Sequence, residues 1–314
     1  MTLMRICSLL PSATEMVFAL GMGDSLVGIT HECDYPPEAA GIPQVTRSNI
    51  PAGLPSEEID RIVSSNLITE GTLYELDQPL LERLAPDLIL TQRLCDVCAV
   101  AFDKVQEVAK TLPSKPRVEN LEPHGLEDIL ENIRHVGSLL DASQRAEDLI
   151  ASYQKRIAII EEKTRTLTSR PRVFCMEWVS PPYCGGHWMK KMVEIAGGVD
   201  NLANANRPSV RIEWERVRAF APEIIVLTCC GFKLPKVMEE AQMLLQFEGA
   251  EEVPAVRNNR VYATNGSDYF SRPGPRIIES LEILAHLIHP EIFPAPQLPE
   301  AFATVNLAAV ARSR

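Results

Sequence analysis

No apolar run in this 314-residue chain is long enough to cross a bilayer. It carries no Walker A loop, no H-E-x-x-H and no G-x-S-x-G. Gly21-Met22-Gly23 lacks the third glycine and the context of a dinucleotide loop. Basic charge is also short: 31 Lys and Arg against 42 Asp and Glu give a formal net charge of -11. A general nucleic-acid binder or a protein held on anionic membrane is therefore not expected. No export signal is expected at the N-terminus as it reads. Arg5 precedes an apolar run at residues 6–10 that is too short for a signal h-region and ends at Pro11. Leu3-Met4-Arg5 before Cys7 lacks the small residues of a lipoprotein site. The expected location is cytoplasmic, or periplasmic if the true start lies upstream. In the cytoplasm eight cysteines do not form a disulfide framework; they serve as core residues, metal ligands or reactive thiols.

What is present is a globular composition, 46% hydrophobic and 23% charged, at a length that predicts two domains. Short apolar runs alternate with helical patterns, which implies parallel sheets covered by helices. Residues 5–9 read as a strand and 13–20 as a helix, with Ser12 and Glu15 in a capping-box spacing. Leu84-Ala85-Pro86-Asp87-Leu88-Ile89-Leu90-Thr91 is echoed by Phe220-Ala221-Pro222-Glu223-Ile224-Ile225-Val226-Leu227-Thr228. Each is a helix end, a proline break and a fully apolar strand. Between the repeats, residues 141–168 contain no Gly or Pro, with Asp141 as the expected cap and Pro171 beyond the end. The predicted architecture is α/β, with two Rossmann-like lobes of mainly parallel sheet joined by one long, stiff helix. The lobes are expected at 1–140 and 170–292, the helix at 141–169 and an extended tail at 293–314.

In open parallel sheets ligands sit beyond the carboxyl ends of the strands. His31 and Cys33 follow one predicted strand, and Cys95 and Cys98 follow another. Together they are the candidate metal set, since imidazole and thiolate suit zinc or another soft ion. Redox thiols and plain packing stand beside that reading. In the second lobe Cys184 and His187 follow the strand carrying Glu177, and Cys229 and Cys230 follow residues 224–228; Glu177, His187, Cys229 and Cys230 are ligand-binding candidates there, as is Asp268 further on. Trp178, Tyr183, Trp188, Tyr269 and Phe270 offer flat faces to a planar ligand, or pack in the core. Arg272 is a candidate for an anionic group on the ligand or for pairing with Asp268. Gly185-Gly186 marks a possible close approach at a helix start, or a tight turn. His124, His135, His286 and His289 have no evident role in the sequence.

Several of these segments resemble the helical-backbone family of substrate-binding proteins, above all its vitamin B12-binding members. The segments are Arg5-Ile6-Cys7-Ser8-Leu9-Leu10-Pro11-Ser12-Ala13-Thr14-Glu15, Cys33-Asp34-Tyr35-Pro36-Pro37, Ala85-Pro86-Asp87-Leu88-Ile89, Ser180-Pro181-Pro182-Tyr183 with Gly197-Gly198, and Ser267-Asp268-Tyr269-Phe270 with Pro275-Arg276-Ile277. The resemblance runs from about residue 5 to 290. It implies non-enzymatic binding of a corrinoid or other metal-containing small molecule, held between two lobes of a monomer. It adds Asp34, Tyr35 and Gln92 to the ligand candidates, and makes Glu215 an acidic docking residue for an ABC importer if the chain is exported. Gln92-Arg93 stand where the family carries an aromatic residue, and residues 56–80 look like an insertion. The rival function is a cytoplasmic enzyme or metal sensor that uses the cysteines.

Overall fold

A computed structural model describes residues 3–51, 53–69, 73–93 and 100–307. The chain forms two compact units, Met1–Pro123 with Glu127–Ile150 and His124–Leu126 with Ala151–Arg314. Both are α/β, as the alternating pattern predicts.

The first unit holds β1 (Ile6–Ser8), β2 (Leu26–Ile29), β3 (Thr46–Ser48), β4 (Tyr74–Leu76), β5 (Leu88–Thr91) and β6 (Arg117–Asn120). Its main sheet has the order β2-β1-β5-β6 and is parallel throughout. β3 and β4 form a separate antiparallel pair. All four residues of β5 are buried, which a strand covered on both faces requires. Cys7, Leu9, Ile89, Val105 and Leu112 share one core. The segment that resembled an insertion supplies the helix Ser56–Thr69 and β4.

The second unit holds β7 (Val173–Trp178), β8 (Tyr183–Cys184), β9 (Gly186–His187), β10 (Asn204–Ala205), β11 (Ile224–Leu227), β12 (Val261–Thr264) and β13 (Phe302–Thr304). The sheet runs β13-β12-β11-β7-β8, parallel through β12, β11 and β7 and antiparallel at both edges. β9 and β10 pair apart from it. The expected extended tail is corrected in part, because β13 closes the sheet edge. Val305 and Leu307 are almost fully buried beside it, and that apolar burial holds the segment down.

The sequence echo is a repeated device. The helices Gln78–Leu84 and Trp214–Phe220 end at Ala85 and Ala221, both left-handed at φ 40° and 51°. A proline and an acid follow, and the chain enters β5 or β11. In the first unit Arg5 Nε donates to Leu84 O at 2.9 Å, and the Arg5 amide donates to Asp87 Oδ2 at 2.9 Å. In the second, Arg172 Nε donates to Ala221 O at 2.9 Å and its amide to Glu223 Oε2 at 3.0 Å. Each arginine thus supplies donors to carbonyls at a helix C-terminus, where none are left within the helix.

Two helix boundaries differ from expectation. The long helix is Ser143–Arg165, 23 residues, roughly 35 Å at 1.5 Å per residue. Asp141 does not cap it. At φ 52° it turns the chain out of the helix Leu126–Leu139, and the next amide, Ala142, donates back to Gly137 O at 2.7 Å. The first helix, Pro11–Ala19, begins at its proline, which fixes a helical φ, so Ser12 makes no cap and is buried instead.

Left-handed alanine is strained in a way glycine is not. Ala85→Gly and Ala221→Gly should each raise stability by about 0.5–1 kcal/mol. Urea midpoints measured on the two variants check this; a lowered midpoint in either contradicts it.

Candidate functional site

At the carboxyl end of the first unit's sheet the polar groups are turned inward. Cys33 is buried, its thiol 3.0 Å from Thr14 Oγ1, which in turn donates to Ser8 Oγ at 2.8 Å. Cys7 lies beneath, its thiol pushed up by burial and then by Cys33. His31 points elsewhere: Nδ1 is 2.7 Å from Thr46 Oγ1, and Nε2 faces Glu32 at 3.5 Å without hydrogen-bond geometry. The ring lies against Tyr74. Cys95 and Cys98 fall outside the described residues. Among the described residues no group of three or more metal-ligating side chains converges, so the expected zinc or soft-metal cluster finds no support. Thr14 and Thr46 draw Cys33 and His31 to different partners. Gln92 is buried, while Asp34 and Tyr35 are exposed.

The second unit collects most of the remaining candidates. Cys229 packs in its core with Phe174 and Leu227, and burial raises its thiol, which makes it a poor nucleophile. Cys184 is buried too, its thiol likewise raised by burial, while Cys230 is partly exposed. Trp178 lies 4.9 Å from Phe232 between ring centroids. His187 is flanked by two rings at shallow angles, Trp188 at 5.4 Å and His124 at 6.4 Å. Trp188 Nε1 donates to Phe270 O at 3.2 Å, which ties this stack to the single π-helical turn Gly266–Phe270. Within that turn Asn265 bonds Asp268 twice, side chain to side chain at 2.8 Å and side chain to amide at 3.0 Å. Tyr269 and Phe270 are buried, and Arg276 lies over the Tyr269 ring. Arg272, although charged, is also buried. Tyr183 is half-buried on the edge strand β8.

His187 is held with unusual firmness. It sits at φ 50°, a left-handed conformation rare for a side chain of this size, and strain of that kind persists only where the surroundings fix it. Its amide donates to Arg207 O at 2.6 Å, and its carbonyl accepts from the Asn206 amide at 3.0 Å. Burial, reinforced by His124, lowers its imidazole to about 4, so the ring is neutral across ordinary pH. Its Nδ1 is buried without a hydrogen-bond partner among the described residues.

Two groups were misread or missed in the sequence. Glu177 turns into the protein, where Oε1 accepts from the Gly186 amide at 2.8 Å; burial raises its carboxyl against the opposing pull of Gly186 and Ser209. Gly186 lies on β9, not at a helix start. A Cβ there would fall 2.3 Å from the Ser209 amide nitrogen, so only glycine fits. Asp200, with no surface exposure, accepts from the amides of Leu202 and Ala203 at 3.0 Å each and of Cys175 at 3.2 Å. The only sequence signal for it was an acid after Gly197-Gly198. Two surface depressions of about 620 and 410 Å³ lie on other faces of this unit, beside Arg165 and Lys191 and beside Glu215 and Arg218. Neither includes the stack.

Residues 6–267 match the family described as periplasmic binding protein. The chain belongs to that family. It is 26% identical to an ABC transporter substrate-binding lipoprotein of Bacillus subtilis, covering 92% of this chain and 81% of the relative. A vitamin B12-binding protein of Vibrio parahaemolyticus is 25% identical, covering 90% and 88%. A periplasmic heme-binding protein of Pseudomonas aeruginosa superposes with a TM-score of 0.70 at 18% identity, over 96% and 98% of the two chains. The protein is therefore a binding protein and not an enzyme. The expected cytoplasmic location is corrected by the same finding, since the family is described as periplasmic and a relative as a lipoprotein. No described helix is long and apolar enough to cross a membrane.

The imidazole makes a direct prediction. His187 should titrate near pH 4 by nuclear magnetic resonance, and His124→Gln should move it upward, because a neighbouring cation is removed. Between the unfolded value near 6.5 and the folded value the unfolded chain binds more protons, so His187 withdraws stability as pH falls through that window. A His187 midpoint at or above 6 contradicts the reading.

Proposed function

We propose that this protein binds a corrinoid of the cobalamin type and hands it to an ABC importer. The observation that carries the reading is the array of flat rings at the carboxyl ends of the second unit's strands: Trp178 on Phe232, and His187 beside His124 and Trp188. Such surfaces suit a large planar ligand whose polar groups lie at its periphery. Trp178, Tyr183 and His187 are assigned to ligand contact on this unit, with the buried Trp188 backing the His187 ring. The name of the Vibrio relative supports the ligand class. An iron porphyrin is the second reading, favoured by the neutral His187 imidazole, a donor that iron accepts.

Titration with cyanocobalamin and with hemin, followed by visible absorption and tryptophan fluorescence, separates the two. Cyanocobalamin is expected to bind more tightly, and Trp178→Ala should weaken it about tenfold, or about 1.4 kcal/mol. Preference for hemin selects the second reading, and binding of neither rejects both.

Glu215 is exposed at the first turn of the helix Trp214–Phe220. By its resemblance to the family's acidic docking residue we assign it to the importer. Glu215→Arg should leave cyanocobalamin affinity unchanged and abolish its stimulation of importer ATPase activity. Undiminished stimulation rules the assignment out.

A further inference from the structure

We infer that Asp200 is a positioning residue that links ligand binding to pH by holding the backbone platform beneath His187. The inference rests on the reading of His187 as a ligand contact. Strand β9, which carries His187, has little support of its own: among the described residues it pairs only with β10, over Gly186 with Asn204 and His187 with Ala205. The main sheet reaches that pair through two carboxylates, Asp200 buried and Glu177 partly buried. Glu177, near the end of β7, holds Gly186. Asp200 accepts from Cys175 on β7 with one oxygen, and from Leu202 and Ala203 with the other. Its bonds therefore fix the turn that delivers Asn204 to Gly186. Beyond β10, Arg207 and Asn206 close on the backbone of His187. The left-handed conformation of His187 thus depends on where residues 202–207 are held.

An ionised carboxylate is acceptor-only, and three amide donors match that state. Once protonated, Asp200 becomes a donor at one oxygen, and the bonds to Cys175 and to the 202–203 turn no longer fit together. The charged groups around it are mixed. Lys190, on the helix Met189–Ile195, faces it and favours the ionised form while pairing with Glu194 at 3.1 Å. Glu177 and Cys175 on β7 and Cys184 on β8 also surround it. Burial raises Asp200 to about 6 against the pull of its three amides and Lys190. The exchange of protonation state therefore falls where external pH varies. The ionised form is costly to folding: the folded chain holds the proton more tightly than the unfolded one between about pH 4 and 6, so this group withdraws stability as pH rises through that window.

The test reads the free protein and the complex separately. In free protein the amide resonances of Cys175, Leu202 and Ala203 should titrate together with a midpoint near 6, while Gly186 reports Glu177. Cyanocobalamin affinity should be level from pH 8 to 6.5 and fall by up to tenfold per pH unit below the midpoint. Asp200→Asn should remove both transitions and leave affinity at its weak, acidic level throughout. Lys190→Met, at a partly exposed site and outside the ligand contacts, should move both midpoints upward; this variant decides the matter if Asp200→Asn does not fold. Affinity that stays level from pH 8 to 5 while the amides titrate overturns the inference. So does a midpoint that Lys190→Met leaves in place. If cyanocobalamin binds at no pH, the ligand reading fails and the link to binding falls with it, while a shared amide titration would still show that Asp200 governs the platform.

Discussion

Each unit must turn a helix into a dry strand within three residues, and the arginine at the start of the neighbouring strand makes that possible. A helix end exposes carbonyls that need donors, and the apolar strands β5 and β11 offer no side chain to supply them. Arg5 and Arg172 lie at the one place where a donor can reach the carbonyls while its own backbone joins the sheet. The acid after the proline completes the exchange by accepting the arginine amide. The sheet order follows from this, since β1 must lie beside β5 and β7 beside β11. Everything at the carboxyl ends of those strands inherits its position from the clamp.

This explains why the fold was legible in the sequence and the site less so. The Leu84 and Phe220 repeats, with their proline and acid, state the strand, its burial and the preceding turn in eight and nine residues. Strand-end positions were legible too: His31, Cys33, Trp178, Tyr183 and His187 all lie at or just beyond them. Side-chain direction was not. Cys33 and Cys229 follow strands but point inward, because Thr14 offers one a polar partner and a hydrophobic core surrounds the other. Thiols are small and tolerate burial, so their spacing says little about exposure. Glu177 misled for the opposite reason, since an acid beside aromatics suggests a ligand contact while its real partner, Gly186, is a backbone amide.

Long-range backbone support is the part that spacing cannot encode. Asp200 meets Cys175 across 25 residues, and Gly186 admits Ser209 only because it has no Cβ. Neither contact has a local periodicity. The tail is similar, for a proline-rich segment reads as extended until Val305 and Leu307 find the second unit's core.

The aromatic stack and the carboxylates behind it make opposite demands, and their arrangement reconciles them. A surface for a large planar ligand should be flat and uncharged, because charge there would hold water against the ring faces. Holding short, isolated strands such as β9 in a strained conformation calls for strong acceptors, and ionised carboxylates are the strongest available. Here the charge stays one layer below. Glu177 and Asp200 act on backbone amides, whereas His187, neutral above about pH 4, faces Trp188 and His124. The backbone that carries the His187 ring is thus held by carboxylate acceptors on the strand and turn behind it.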